Sequence, residues 1–420
     1  MKYFTVFGLF FLVSFLQTQG AVTITVKNPA AIERKDELIV LKRNLINQKF
    51  GKNKAKYFIA LINNTPQLVQ FDDLDADGNW DEAVLLKDFA ANETITILIK
   101  PSEKPATVKA VVRAHVRQMH KMPDDSFGPS VTVDTMPMNH PPTDFSKQKL
   151  PPYLTEGPAW ENDKVGFRKY FDTRNTNDIW GKVTDKMVLD EVGVLPEVIY
   201  HNFDSSWGMD ILKVGKSLGA GAIGLQLKLP NGKDTLVRPG SNALVTYHQL
   251  ANGPLRAIFT ISYQNWRIME GMSPVNITEK ISIWGGQYFF QNTVAAYNVP
   301  ANAKLVTGTM NFYSDHYDTM QVGSSRALYT FGKQSENHDM LGLAVVVQNK
   351  SFAGFGQTPS ENSAILNTYT VAQTIIGSMP ITYRYIVGWE KTKPIFSSKS
   401  GFEKLLGLEM QKMGQPIGVR

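Results

Sequence analysis

The chain has no cysteine. That one absence removes disulfide frameworks, thiolate nucleophiles, cysteine-ligated metals and a lipid-anchoring lipobox. Histidine occurs at 115, 120, 140, 201, 248, 316 and 338, never in an HxH or HExxH spacing, so a zinc site lacks a signature. No GxSxG elbow announces a serine nucleophile. No cluster of Lys and Arg or matching motif points to nucleic acid. The apolar run from Tyr3 to Leu16 falls short of the about 20 residues a membrane anchor needs. Internal repeats and low-complexity tracts are also missing, which sets aside solenoids, propellers and disordered tails.

What is present begins with that apolar run. Met1 and Lys2 make a positive start, Tyr3 to Leu16 an apolar centre and Gln17 to Gly20 a polar exit ending in a small residue. Residues 1–20 therefore read as a secretory signal cleaved near Gly20–Ala21, and the expected location is periplasmic or secreted, without a membrane anchor. The 420 residues carry 44 Lys and Arg against 38 Asp and Glu, and removal of Lys2 leaves a surplus of five. This mild excess fits either a solvated mixed surface or a basic cleft for an anionic ligand. A chain of this length exceeds one ordinary sandwich, so two domains are expected.

Residues 21–120 hold seven short β-branched runs separated by turn residues, from VTITVKN to VKAVVRAHVRQ. That spacing predicts an immunoglobulin-like sandwich. Residues 121–155, rich in Pro, Met, Asp and Ser, read as a linker or a long loop over the next domain. From 156 to 420 the strands lengthen and hairpin signals sharpen, with turns at Asn252-Gly253 and Gly285-Gly286. Only FEKLLGLEMQKM looks helical, with Leu405, Leu406 and Leu408 on or near one stripe. The fold class is all-β, and the carboxy-terminal domain is expected to be an antiparallel supersandwich rather than a barrel.

The densest cluster of polar and aromatic side chains is EGPAWENDKVGFRKYFDTRN, from Glu156 to Asn175. If GFRKYFDT is a strand, Arg168 and Tyr170 share one face, because side chains alternate. Lys213 and Lys216 follow soon after YHNFDSSW, which carries Tyr200, His201, Asp204 and Trp207. Two readings stand side by side: charge pairing at a sandwich edge, or a sugar-acid cleft. In the second, rings stack on pyranose faces, cations hold a carboxylate or sulfate, and His with Tyr supplies acid and base.

Three other features have both functional and structural readings. Arg113, His115 and Arg117 alternate onto one strand face, as an exposed stripe or as a ligand contact at the domain junction. The glycines of SLGAGAIG lack a strand–turn–helix context and suit a tight turn better than a dinucleotide. In DDLDADGNWDE, Asp73, Asp75, Asp77, Gly78 and Asp81 take positions 1, 3, 5, 6 and 9 of a calcium loop, but Val84 stands where a bidentate Glu belongs. A structural Ca²⁺ or an acidic turn would each account for it; no cofactor is otherwise required.

The segments EGPAWENDKVGFRKYFDTRNTNDIWGK, YHNFDSSWGMDILKVGKSLGAGAIG and HQLANGPLRAIF together resemble the DUF4861 family, exported proteins of polysaccharide-degrading bacteria. AIERKDELIVL and DLDADGNWDEAVLL are similar to its amino-terminal part, and TYRYIVGWE to the end of galactose-mutarotase-like supersandwiches. The resemblance implies an oligosaccharide dehydratase acting on ulvan fragments. Such an enzyme removes water from a non-reducing-end glucuronate or iduronate and leaves a 4,5-unsaturated uronate.

Abstraction of H5 beside a carboxylate needs a base, an acid for the departing 4-hydroxyl, and a cation or donor for the enolate-like intermediate. On this expectation Arg168, Lys213 or Arg174 binds the carboxylate, and His201 pairs with Tyr200 or Tyr170. Adjacent strand residues point apart, so only one of Tyr200 and His201 is expected in the site, with His201 preferred. Trp160 and Trp207 are the stacking candidates, Glu161 and Asp210 candidate hydroxyl ligands or orienting groups, and Lys216 and His115 further substrate contacts. A lyase that expels an alcohol sugar instead of water, and a glycan-binding protein without catalysis, are the competing classes.

Overall fold

The computed structural model describes residues 20–51, 55–196, 200–229, 232–361 and 363–420. The signal-segment expectation lies outside these residues, apart from Gly20. Among the described residues no helix is long and apolar enough to cross a membrane.

The first unit is an immunoglobulin-like sandwich. One sheet runs in the order Gly418–Val419, Val22–Lys27, Thr94–Ser102, Tyr57–Ile62 and Thr65–Pro66. Facing it stand Arg34–Lys42, Glu82–Phe89 and Gln70–Asp72. Alternation sends Ile24, Val26, Ile97 and Ile99 inward against Ile39, Leu41, Phe58 and Trp80. A helix over Arg43–Phe50, not foreseen in the sequence, buries Ile46 and Phe50 four residues apart on this core.

The seventh run belongs elsewhere. Ala114–Arg117 pairs with Ala159–Asn162 and so lies in the sheet that carries the candidate site. Within 121–155, Val133–Met136 hydrogen-bonds to Leu244–Asn252 as an edge strand, so this stretch is more than a loop.

The second unit is a large antiparallel supersandwich. Among the described residues its central sheet has nine strands, with Ile381–Trp389 and Phe289–Tyr297 in the middle and Val133–Met136 and Asp318–Val322 at the edges. Opposite stand two sheets of five, one built on Ala220–Lys228 and Lys304–Met310, the other on Val165–Lys169 and Asn177–Lys182. A bridge between Asn177 and Gly219 joins them. Trp160, Phe167, Phe290 and Tyr385 stack and abut in the core between the layers, each contributing roughly 1.5–3 kcal/mol by burial.

Both anticipated hairpins form, Leu244–Asn252 with Arg256–Trp266 and Val275–Trp284 with Phe289–Tyr297. At the second turn Gly286 has φ 81°, and a Cβ there would lie 2.2 Å from Asp36 of the first unit. Glycine is needed because the units meet over that turn. The junction is polar: Arg113 pairs with Asp36 and Asp163, and the nearly buried Arg256 with Asp72 and Glu82. The anticipated helix, Lys399–Gly414, is capped by Ser398 and lays Phe402, Leu406, Met410 and Met413 on the outer face of the nine-stranded sheet. Leu406 belongs to that buried stripe, while Leu405 and Leu408 are half-buried beside it.

Candidate functional site

Strand register builds the site. Val165–Lys169 lies between Ala159–Asn162 and Asn177–Lys182, with Arg168 opposite Asp178 and, one strand further, Trp180 opposite Asp210. Phe167 and Ile179 turn into the core. Their neighbours Arg168, Asp178, Trp180 and Asp210 therefore share the other face. Arg168 is 1% exposed. Its Nη2 donates to Asp178 Oδ2 at 2.7 Å, Asp210 Oδ2 at 2.9 Å and the Tyr170 hydroxyl at 2.7 Å, and its Nη1 to the Tyr200 hydroxyl at 3.3 Å. The rings of Tyr170, Trp180 and Tyr200 enclose the guanidinium at 4.6, 4.8 and 5.4 Å.

Two carboxylates on one guanidinium nitrogen repel each other. Burial, reinforced by Asp210, pushes the Asp178 carboxyl up to about 7. Tyr170 donates its hydroxyl to Asp178 at 2.8 Å. Solvent reaches the cluster at His201, which is 57% exposed and holds Nδ1 3.3 Å from Asp210 Oδ2. Hydrogen bonding to Asp210 raises its pKa above 6.5. Burial raises Tyr200 above 10 although Arg168 opposes the shift. The carboxylate thus fixes the imidazole with Nδ1 protonated and leaves Nε2 to face outward.

A strained loop supplies the remaining wall. Thr155 and Glu156 have φ of 49° and 67°, and Gly157 follows at 152°, values that cost side-chain-bearing residues about 1–3 kcal/mol each. Fully buried Arg117 holds the loop by donating to the Leu154 and Gly157 carbonyls and to Thr155 Oγ1. A Cβ at Gly157 would lie 2.2 Å from the Lys169 carbonyl oxygen. The result presents Glu156 to Arg174 at 2.6 Å. Arg174 also pairs with Asp172 and lies 3.9 Å over the Tyr170 ring.

The structure brings Arg168, Tyr170, Arg174, Tyr200, His201 and Asp210 together, and corrects several expected roles. Tyr200 and His201 lie in a turn, not a strand, with ring centroids 4.6 Å apart, so both reach the site. Arg168 is surrounded by its own carboxylates and cannot also face a substrate carboxylate. Tyr170 is closed off between Arg168, Asp178 and the Arg174 guanidinium. Trp160 is fully buried in the core against Phe167, and Trp207 is 8% exposed behind Trp180; neither offers a face to a sugar.

Glu161 is fully buried, pairs with Lys182 and accepts from the Val188 and Leu189 amides, a structural role. His115 bonds Asp190 at 2.8 Å and Asn252 at 3.2 Å, and no contact joins it to the Arg168 cluster among the described residues. The strand face it shares with Arg117 is covered, not an exposed stripe. Lys213 stands 5.3 Å over both Phe312 and Tyr313, with no hydrogen bond or ion pair to the cluster among the described residues. Lys216 is exposed and lines a cleft with Arg174.

Sequence reasoning missed Asp178 and Trp180; it placed Glu156 and Asp172 in the polar segment without a role, and read Arg117 as a surface stripe or ligand contact where it is a buried loop anchor. Asp178 was within reach: drawing the hairpin between Lys169 and Asn177 places it across from Arg168. Phe203, 41% exposed and two residues beyond His201, keeps a ring at the surface where Trp160 and Trp207 do not, with Lys391 4.9 Å over it and Trp389 against its edge. In the acidic loop, Asp73, Asp75 and Asp81 bring carboxylate oxygens within 4.8 Å of one another. Asp77 stands apart and caps the Asn79 amide at 2.7 Å.

With this geometry in view, comparison with known proteins places the chain. The family described as "Domain of unknown function (DUF4861)" matches residues 26–419. The chain belongs to the DUF4861 family. The DUF4861 chain is 23% identical over 424 residues to "Uncharacterized protein P7" of Formosa agariphila, covering 94% of this chain and 92% of that one. Among solved structures it is similar to a glycosyl hydrolase family 38 protein from Enterococcus faecalis, with a TM-score of 0.49, 8% identity and 96% of this chain covered. An α-mannosidase from E. faecalis V583 gives a TM-score of 0.48, again at 8% identity and 96% coverage. The DUF4861 chain spans just under half of those two proteins, 47% and 46% of their lengths.

Proposed function

We propose that this protein is an exported carbohydrate-active dehydratase. It removes water from a non-reducing-end uronate, glucuronate or iduronate, of ulvan-type oligosaccharides. The observation that carries the reading is the pairing of an accessible His201 with Asp210 above the buried Arg168 and beside the Tyr200 hydroxyl.

His201 Nε2, with Nδ1 held by Asp210, takes H5. Tyr200, whose raised pKa keeps it protonated at working pH, gives its proton to O4. The C5–H and C4–O bonds break, C4=C5 forms, and water leaves; proton return from His201 to Tyr200 through solvent closes the cycle. Arg168 positions both groups by holding Asp210 and the Tyr200 hydroxyl. Arg174, 27% exposed at the rim, meets the substrate carboxylate. Phe203 supplies a stacking ring. The reaction as drawn uses no metal, and the calcium we propose at Asp73, Asp75 and Asp81 stabilises the first unit alone.

The test is mass spectrometry of uronate-ended oligosaccharides incubated with the mature protein. The expected product is lighter by one water at unchanged chain length, with new ultraviolet absorbance. Shortened chains would replace the reading with a lyase, and binding without absorbance change would replace it with a glycan-binding protein.

A further inference from the structure

Beside the Arg168 cluster, beyond Arg174, lies a cleft of about 510 Å³. That is ample for a sugar unit, since ligand pockets span roughly 300–1,000 Å³. Four of its lining residues are cations, Arg174, Lys216, Arg238 and Arg267, and none is an acid. Of the four, only Arg174 has carboxylate partners among the described residues. Lys216 and Arg267 are exposed at its rim.

Arg238 is built in rather than floating. Its Nη1 donates to the Arg174 carbonyl at 2.7 Å and its Nη2 to the Lys216 carbonyl at 2.5 Å. Its Nε is buried with no hydrogen-bond partner among the described residues. Burial lowers its pKa to about 10, against which Asp172 alone acts. A guanidinium held by carbonyls and short of negative charge is completed by an anion. The cleft is also fixed to the site. Asn175 donates to the Pro239 carbonyl, and a Cβ at Gly240 would lie 2.9 Å from that of Asn175. The loop carrying Arg238 is therefore packed on the loop carrying Asp172 and Arg174.

We propose that this cleft binds an oxyanion, a sulfate ester or a second carboxylate, on the sugar unit next to the reacting uronate. The assignment rests on the uronate reading for which unit reacts, but the binding of an oxyanion can be tested without turnover. Inorganic sulfate titrated calorimetrically into the mature chain should bind, and at least tenfold more weakly to the double variant Lys216→Gln/Arg267→Gln. His201→Ala should bind sulfate as the parent does. Equal binding by parent and double variant, or none by the parent, overturns the cleft whatever the reaction proves to be. Arg238 is left intact because its backbone contacts would confuse folding with binding.

With a turned-over substrate, the double variant should raise KM at least tenfold with little change in kcat. Desulfation that raises KM in the parent but not in the variant identifies a sulfate ester. Sensitivity to reduction of the second carboxylate instead identifies the carboxylate. A KM indifferent to both treatments also rejects the proposal.

Discussion

Arg168 and Lys169 are neighbours in sequence, fully buried, and separated by the thickness of one sheet. Alternation sends Arg168 outward to Asp178 and Asp210, and Lys169 into the core, where its Nζ lies 3.2 Å from Glu279. Glu279 accepts from Tyr263 at 2.7 Å and Asn292 at 2.6 Å, and Asn292 reaches the Tyr383 hydroxyl at 2.8 Å. All these partners are buried. The Lys169 cluster is sealed and one acid faces one base. The Arg168 cluster gathers several acids and ends on an imidazole that is more than half exposed. Only the second has both an imbalance of protons and a route to solvent. Burial of a charge is thus a poor guide to function here; the exit is the better one.

The contrast can be broken from either side. The largest effect is expected at the exit, where His201→Ala should lower kcat by about 10²–10⁴ while the urea midpoint stays near that of the parent. A variant that keeps its turnover would remove the exit from the mechanism. In the sealed cluster the reverse holds. Glu279→Gln should cost about 3–5 kcal/mol by stranding Lys169, read in urea unfolding, with turnover per folded molecule unchanged. Adding Lys169→Met should recover much of that loss. If the double variant is as unstable as the single one, the pair is not the source.

Only the Arg168 side of this contrast was legible in the sequence, and the reasons for the gaps are physical. Alternation in GFRKYFDT put Arg168 and Tyr170 on one face because a strand's side-chain period holds regardless of partners. His201 and Asp210 were also expected in the site, on the acid–base chemistry that the family resemblance implies and not on any spacing that brings them to Arg168. Asp178 and Glu156 were overlooked because their roles depend on register and on a loop in the left-handed region, neither of which composition reports. Trp160 and Trp207 misled for the opposite reason: a tryptophan's apolar area fills a core as readily as it stacks on a sugar, and hydrophobic burial decided the matter. The Lys169–Glu279 pair, 110 positions apart in the sequence, was beyond local pattern altogether.

A smaller effect distinguishes the clusters by pH. Asp178 is raised from its ordinary range to about 7, and His201 is raised above 6.5. For both groups the folded chain binds protons more tightly than the unfolded one. Their contributions therefore weaken as pH rises, for Asp178 from its unfolded value near 3.9 to about 7, for His201 from about 6.5 through its raised value. Urea midpoints should decline from pH 5 to 8, and Asp178→Asn should flatten the part below about 7. An undiminished slope in that variant would place the titrating carboxyl elsewhere. Activity should move the other way on its acidic limb, rising above pH 6.5 as His201 Nε2 loses its proton.

The smallest effect sharpens the comparison with a third acidic group, at the surface. Among the described residues Asp73, Asp75 and Asp81 converge without an ion-pair partner, and Asp75 is exposed. Backbone amides already satisfy part of their charge: Gly78 donates to Asp73 at 2.8 Å and Leu74 to Asp81 at 2.7 Å. With neither a buried guanidinium nor an imidazole beside it, this acid cluster is where the proposed calcium would bind. With a Kd on the order of 1 mM, 10 mM calcium should add about 1.4 kcal/mol of stability. Asp73→Asn should abolish that gain and leave the His201 and Glu279 phenotypes untouched, because the loop shares no side chain with either cluster. A midpoint unmoved by calcium would make the loop an acidic turn held by its own amides.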